Sequence, residues 1–199
     1  MPALRRSVPR RVPAAPAQAQ QDHSDLRATE VRPRPPGQEV EDRAVPGRWE
    51  GDLIIGKDGA SAIGTLIERS TRYVMLLHLP NGRGTEVVRD ALTEAVTTLP
   101  ARLKRALTWD QDTEMGRHHD FTVATDTPVC FCDPASPWQR GSNENTNGLL
   151  RQYFPKGTGL SVHSRGHLNA VAAELNGRPR KTLDWETPAE RLSTLLKAS

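Results

Sequence analysis

The hydrophobic pattern of this chain begins abruptly at Trp49. Upstream, residues 1–38 are rich in Pro, Ala, Arg and Gln and show neither a helical nor a strand period. Such a composition buries too little apolar surface to offset the entropy lost on ordering. We therefore predict a disordered N-terminal segment over 1–38 and one folded domain over 39–199.

Three strands with short links are predicted from residue 48 onward. They are RWEGDLIIG (48–56), SAIGTLIE (61–68) and TRYVMLLHL (71–79). Arg69 and Ser70 form the tight link between the second and the third. Because parallel strands need a long crossover, these short links predict antiparallel pairing.

Helices and strands alternate in the rest of the chain. An apolar stripe from Val87 to Leu99 predicts a helix with Thr85 as its N-cap and Pro100 as its stop. The later predicted elements are the strands ALTWD (106–110) and PVCFCD (128–133), a short helix between them, a helix over 144–154 capped by Ser142 or Asn143, a helix around Leu168, Val171, Ala172 and Leu175 that ends before Gly177, and a helix opened by the capping box of Thr187 and Glu190. Helical crossovers favour parallel addition of the last two strands. The pattern thus predicts an α/β domain, a mixed five-stranded sheet flanked by helices.

Composition narrows the class of protein. No apolar run approaches the roughly 18 residues that span a bilayer, and two cysteines cannot form a disulfide framework. We expect a soluble intracellular protein with no membrane partner. The formal charge is only +3, yet residues 140–199 hold nine Lys or Arg against five acids. This basic C-terminal third indicates a polyanionic partner, although a solvated surface is the alternative.

Three acids stand where the predicted fold brings them together. Asp52 lies inside the first strand, Asp110 closes the fourth, and Glu144 opens a helix. If the first and fourth strands are neighbours, the helix brings Glu144 across to both aspartates. Converging carboxylates repel one another unless divalent cations neutralise them, and oxygen-only ligands suit Mg²⁺ or Mn²⁺. The alternative is a turn aspartate and a glutamate that complements a helix dipole.

Four stretches of this chain resemble the catalytic core of bacterial insertion-sequence transposases of the IS30 family. They are VEDRAVPGRWEGDLIIG (40–56), LTWDQDTEM (107–115), FCDPASPWQRGSNENTNGLLRQYFPKG (131–157) and ELNGRPRKTLDWETPAERL (174–192). The resemblance implies a ribonuclease H-like DDE recombinase related to retroviral integrases. It assigns Asp52 to the WEGD motif, Asp110 to the LTWD motif, and Glu144 to the glutamate that follows after 33 intervening residues.

The resemblance also implies an activity. Asp52, Asp110 and Glu144 would be the catalytic and metal-binding residues, holding two Mg²⁺ or Mn²⁺ ions in a Mg-dependent polynucleotidyl transferase and endonuclease. Such an enzyme cleaves double-stranded DNA at element ends and transfers the strand to a target, which is DNA transposition, integration and recombination. The implied setting is the bacterial cytoplasm at the nucleoid, and the active form would be a homo-oligomer.

We predict DNA contacts from the polar and basic residues around this site, chiefly to phosphates. They are Arg140, Asn147, Arg151, Lys156, Arg178, Arg180 and Lys181.

The chain departs from the family pattern in two ways. No helix-turn-helix is visible in residues 1–38, so we expect an open reading frame that lacks the end-recognition region and is defective through truncation. Gln111 and Asp112 follow Asp110, where the family has a basic residue and Gly. Two alternative functions stay open: an inactive remnant that binds DNA or inhibits intact transposase, and a ribonuclease H-like nuclease with another substrate.

Two other metal patterns are weaker. The acids from Asp110 to Glu114 alternate like a calcium loop, but position six is Met115 and position twelve is Phe121. Cys130 and Cys132 are spaced more tightly than zinc-finger ligands, so we interpret them as buried thiols. His163 and His167 are then ordinary loop histidines.

Overall fold

A five-stranded sheet organises the described part of the chain. The structure is a computed structural model that describes residues 45–109, 115–131 and 141–198, without the side chains of residues 141, 142 and 144. The segment 1–38 that we predict to be disordered lies outside the described residues. So do Asp110, Arg140 and Cys132.

The elements follow one another in the order that the hydrophobic pattern predicts. They are β1 (Arg48–Ile55), β2 (Ala62–Glu68), β3 (Val74–Leu79), α1 (Thr85–Thr97), β4 (Ala106–Trp109), α2 (His118–Thr125), β5 (Val129–Phe131), α3 (Gly141–Leu150), α4 (Arg165–Asn176) and α5 (Pro188–Lys197). Within the residues described, no helix combines the length and the apolar character needed to cross a bilayer.

Strand β1 lies at the centre of the sheet, whose order is β3-β2-β1-β4-β5. It pairs antiparallel with β2 and parallel with β4, so that Glu50 lies level with Ile67 on one side and Thr108 on the other. The β2–β3 pair is antiparallel and the β4–β5 pair is parallel. The predicted mixed sheet is confirmed. The first and fourth strands are neighbours, which is the condition on which the predicted convergence of the acids depends.

The sheet separates two apolar clusters. One cluster packs under α1 and α2 and contains Trp49, Leu66, Leu77, Leu92, Leu107, Trp109 and Phe121. The other packs under α3 and α4 and contains Ile54, Ile63, Ile67, Leu150, Phe154, Leu168 and Leu175. Because side chains alternate along a strand, β1 supplies Trp49 to the first cluster and Ile54 to the second. Its even-numbered residues therefore face α3.

The third strand starts later than predicted because Glu68 organises the preceding turn. The Glu68 carboxylate accepts hydrogen bonds from the Ser70 hydroxyl at 2.8 Å and from the Thr71 amide and hydroxyl at 2.7 Å each. Arg72 then takes a positive φ of 61°. The link is therefore a five-residue turn, and β3 begins at Val74 rather than at Thr71.

The predicted caps of two helices are wrong. Gly84, with an extended backbone, precedes α1, and Thr85 is already helical. Helix α3 begins at Gly141, so that Ser142 and Asn143 are inside it rather than capping it. The helix also ends at Leu150 instead of at residue 154, and turns complete the segment.

The capping box of the last helix is confirmed. The Glu190 amide donates to the Thr187 hydroxyl at 3.1 Å, and the Thr187 amide donates to the Glu190 carboxylate at 2.9 Å. Pro188 occupies the first helical position, where its missing N–H costs nothing. Gly177 follows the end of α4, as predicted.

Asn176 joins the end of α4 to the edge strand β3. Its side-chain oxygen accepts from the Val74 amide and its side-chain nitrogen donates to the Val74 carbonyl, both at 2.8 Å. Only 2% of Asn176 is exposed. The Asn176 side-chain amide thus forms the two hydrogen bonds with Val74 that a neighbouring strand would otherwise form.

We expect the variant Asn176→Ala to lower the free energy of unfolding by about 2–4 kcal/mol, because it leaves two buried backbone groups without partners. Asn169→Ala, at an exposed position of the same helix, is the matched control and should change it by less than about 0.5 kcal/mol. Urea unfolding measures both. Equal stability of the two variants would show that the Val74 contacts contribute nothing.

Candidate metal and nucleic-acid site

Asp52 is held in place by hydrogen bonds to both oxygens of its carboxylate. One oxygen, Oδ1, accepts from the Leu53 amide at 2.8 Å, and Oδ2 accepts from the Asn147 side-chain nitrogen at 2.8 Å. The residue is half-buried on the face of β1 toward α3. A carboxylate with fixed orientation and partial access to solvent is suited to bind a cation.

A polar stripe on α3 lies along β1. The stripe consists of residues spaced four apart, which lie on the same side of a helix: Asn143 and Asn147 in α3, and Arg151 directly after its last residue. The backbone amide of Asn143 donates to Glu50 Oε2 at 3.3 Å, and the side-chain amide of Asn147 donates to Asp52. The two terminal nitrogens of Arg151 donate to the Ile55 carbonyl at 3.4 and 3.3 Å. These contacts set the register of α3 on β1.

Glu144 belongs to the first turn of this same helix. Its backbone follows Asn143, but its side chain and the whole of Asp110 lie outside the described residues. Strand β4 ends at Trp109, next to β1. The structure therefore brings the strand of Asp52 together with the helix of Glu144, and the convergence of all three carboxylates stays a prediction.

The other residues of the WEGD motif have structural contacts of their own. The Trp49 indole N–H donates to the Leu103 carbonyl at 2.8 Å inside the core. Gly51 lies against the buried ring of Trp109, and a Cβ at this position would overlap that ring. Only a glycine fits here, because the Trp109 side chain of the neighbouring strand β4 lies over it.

Two glutamates are buried in the fold and form contacts that the sequence analysis did not predict. Glu50 is 1% exposed, and its Oε1 lies 3.0 Å from Nε of Arg69. Glu68 is fully buried, and besides its contacts in the turn it accepts from the Gly47 amide at 2.9 Å. The signal was present in the sequence, since acids are depleted inside strands.

The donor atoms near Asp52 fit a divalent cation. The Asn147 side-chain oxygen is buried without a hydrogen-bond partner, beside a carboxylate that offers two oxygens. An oxygen-only set that includes an unused acceptor for a metal-bound water suits Mg²⁺ or Mn²⁺. Within the described residues no three His, Cys, Asp or Glu form a metal-binding group, and two members of the predicted triad lie outside that part.

The histidines that the zinc pattern includes pack on the core instead. His163 and His167 stack with ring centroids 5.0 Å apart, and His163 meets Phe154 edge-on at 5.0 Å. Burial, helped by the charge of His167, lowers the pKa of His163. His167 lies inside α4, so it is not a loop residue as predicted. Cys130 is half-buried.

The predicted DNA-contacting residues differ in how free their charges are. Lys156 and Lys181 are exposed. Arg178 forms an ion pair with Glu174 at 2.5 Å, donates to the Tyr153 hydroxyl and lies over the Tyr153 ring. Arg180 is half-buried, and desolvation together with the charge of Arg178 lowers its pKa. The two lysines are therefore better placed than the two arginines to bind phosphates.

Comparisons with known proteins agree with this architecture. The family model of the integrase core domain matches residues 42–137. The chain is 51% identical, over 83% of its length, to the transposase for insertion sequence element IS1086 of Cupriavidus metallidurans, and 51% identical, over 76%, to transposase InsI for element IS30C of Escherichia coli. It is 34% identical, over 75% of its length, to the transposase for IS4351 of Bacteroides fragilis. The chain covers 48%, 39% and 45% of these relatives, so it spans about half their length or less.

Gly51→Ala tests the packing under the site. We expect it to destabilise the fold by about 1–3 kcal/mol or more, because the added Cβ forces Trp109 out of its position. Gly148→Ala, at an open position of α3, should instead stabilise the protein by about 0.5–1 kcal/mol. Thermal and urea unfolding distinguish the two. A Gly51→Ala protein of parental stability would contradict the packing described.

Proposed function

We propose that this chain, which matches the integrase core domain over residues 42–137 and is similar to transposases of IS30-type elements, is the catalytic domain of a DDE transposase that cuts and joins DNA. One observation of the structure supports this above the others. The Asp52 carboxylate, in the central strand, is oriented by a side chain of the helix that carries Glu144. Asn147 comes three residues after Glu144 on α3, so this contact holds the strand of Asp52 against the helix that carries Glu144.

The reaction proposed has two steps at one site. In the first, water attacks a phosphodiester at the element end, and the P–O3′ bond breaks to leave a free 3′-OH. In the second, this 3′-OH attacks a target phosphodiester, a new P–O bond forms, and the displaced 3′ oxygen leaves. No protein nucleophile is needed, since neither step forms a covalent enzyme intermediate.

The chain's own residues prepare the site for this chemistry. Asp52, Asp110 and Glu144 would hold divalent cations, in our proposal two Mg²⁺ or Mn²⁺, which stabilise charge on the attacking and leaving oxygens. Asn147 and the Leu53 amide keep the Asp52 carboxylate in one orientation. Preorganised groups of this kind cost no reorganisation at the moment of reaction.

DNA is the substrate that the charge distribution supports. We propose that Lys156 and Lys181 supply phosphate contacts, with Arg140, Arg151, Arg178 and Arg180 as further candidates. Phosphate contacts position a duplex but carry no sequence information directly. The element ends and the target are double-stranded DNA in this proposal, the active form is a homo-oligomer, and the reaction takes place at the bacterial nucleoid.

Substitution of the three acids tests the catalytic assignment. Asp52→Asn, Asp110→Asn and Glu144→Gln should each reduce nicking and strand transfer at least a hundredfold with Mn²⁺ and labelled element-end DNA, while duplex binding persists. Asp58→Asn is the control, an exposed acid just beyond β1 whose φ of 53° Asn tolerates. If the Asp52→Asn variant cleaved DNA at the parental rate, Asp52 would not belong to the catalytic site.

The salt dependence of DNA binding tests the phosphate contacts. Each neutralised contact reduces the slope of log K against log salt by roughly 0.9. The double variant Lys156→Gln/Lys181→Gln should therefore flatten the slope by roughly two and weaken binding to all sequences alike. Arg178→Gln should change the slope by less than about one, since Glu174 already pairs with that guanidinium. Titrations across a salt series would refute the assignment if the double variant kept the parental slope.

A further inference from the structure

We propose that Glu50 is a positioning residue for catalysis, which fixes the first turn of α3, and with it Glu144, over the strand of Asp52. This inference rests on the proposed function, because it assumes that Glu144 and Asp52 share a metal site. It adds a role for the second residue of the WEGD motif.

Glu50 and Asp52 lie on the same face of β1 in very different surroundings. Asp52 is half-buried, whereas Glu50 is 1% exposed. One Glu50 oxygen lies 3.0 Å from Nε of Arg69, and the other accepts from the Asn143 amide at 3.3 Å. Both oxygens are engaged by the protein, so Glu50 is not a further metal ligand.

The contact with Asn143 is of the kind that anchors a helix start. The first N–H groups of a helix have no acceptor within the helix, and Asn143 is the third residue of α3. A carboxylate near this end is attracted both by the free N–H and by the helix dipole. The Arg69 guanidinium, from the turn after β2, compensates the charge that burial would otherwise make costly.

The Asn143 side chain does not share this anchoring role. Asn143 is 1% exposed, and neither the nitrogen nor the oxygen of its side-chain amide has a hydrogen-bond partner. Burying a polar group in this way costs free energy. The first turn is therefore tied to the sheet through the backbone of Asn143 and Glu50. Glu144 is the next residue, so any movement of this turn moves Glu144.

Glu68 offers a matched control in the neighbouring strand. It is as buried as Glu50 and also accepts several hydrogen bonds, but its donors belong to Gly47, Ser70 and Thr71. None of the donors described for it lies on α3. A variant of Glu68 therefore removes a buried carboxylate without touching the helix of Glu144.

The experiment compares Glu50→Gln with Glu68→Gln in the full chain. Mn²⁺ binding is measured by calorimetry without DNA, amide hydrogen exchange is measured for α3 and α4, and melting is followed in EDTA. We expect Glu50→Gln to weaken Mn²⁺ binding at least tenfold and to speed exchange in the first turn of α3 but not in α4. Glu68→Gln should lower the melting temperature yet leave Mn²⁺ affinity of the folded protein within twofold.

Glu50→Asp covers the case in which Glu50→Gln does not melt cooperatively. It keeps the charge beside Arg69 but is one methylene too short to reach the Asn143 amide as well, so it should weaken Mn²⁺ binding similarly. Parental Mn²⁺ affinity and α3 exchange in the folded Glu50 variant would overturn the positioning role. Failure of the proposed function gives a different result. In that case the parental protein would bind no Mn²⁺, or the Asp52→Asn variant would bind Mn²⁺ as tightly as the parental protein.

Discussion

The alternation of β1 between two unlike faces is the constraint on which the rest of the structure depends. Being paired on both edges, β1 cannot shift its register without disturbing β2 and β4 together. Its odd residues therefore stay in the apolar cluster with Trp109, and its even residues stay under α3. The polar stripe of α3 finds its hydrogen-bond acceptors on β1 only in this register. The geometry of the site therefore depends on the hydrophobic packing on the opposite face of the strand.

Three acids on two adjacent strands show how surroundings divide similar side chains into different roles. Glu68 is surrounded by donors from its own turn, Glu50 is shared between Arg69 and a helix, and Asp52 retains access to solvent. Glu50 and Glu68 are closed off from solvent, and their contacts hold parts of the fold together. The carboxylate of Asp52 is only half-buried, so a cation can reach it. The different roles thus follow from how far the fold buries each acid.

Much of this arrangement was predictable from sequence. Period and turn signals predicted the five strands, which of them pair antiparallel or parallel, and the capping box at Thr187, because these depend on local chemistry and on the lengths of the links. The same signals could not show that Asn147 turns toward Asp52, since that contact joins residues 95 positions apart. Nor could they show that the Tyr153 hydroxyl joins the pair of Glu174 and Arg178, because Tyr153 lies 25 positions away. The start of β3 was missed for a related reason, namely that Glu68 acts on residues after it.

The amide of Asn176 has a consequence for the behaviour of the protein in crowded solution. An edge strand presents unpaired donors and acceptors, to which an extended segment of another molecule can add as an extra strand. At Val74 those groups are already occupied by a side chain, so β3 offers no continuous ladder from its first residue. A single asparagine at the end of a helix thereby protects this part of the chain against unwanted strand addition and aggregation.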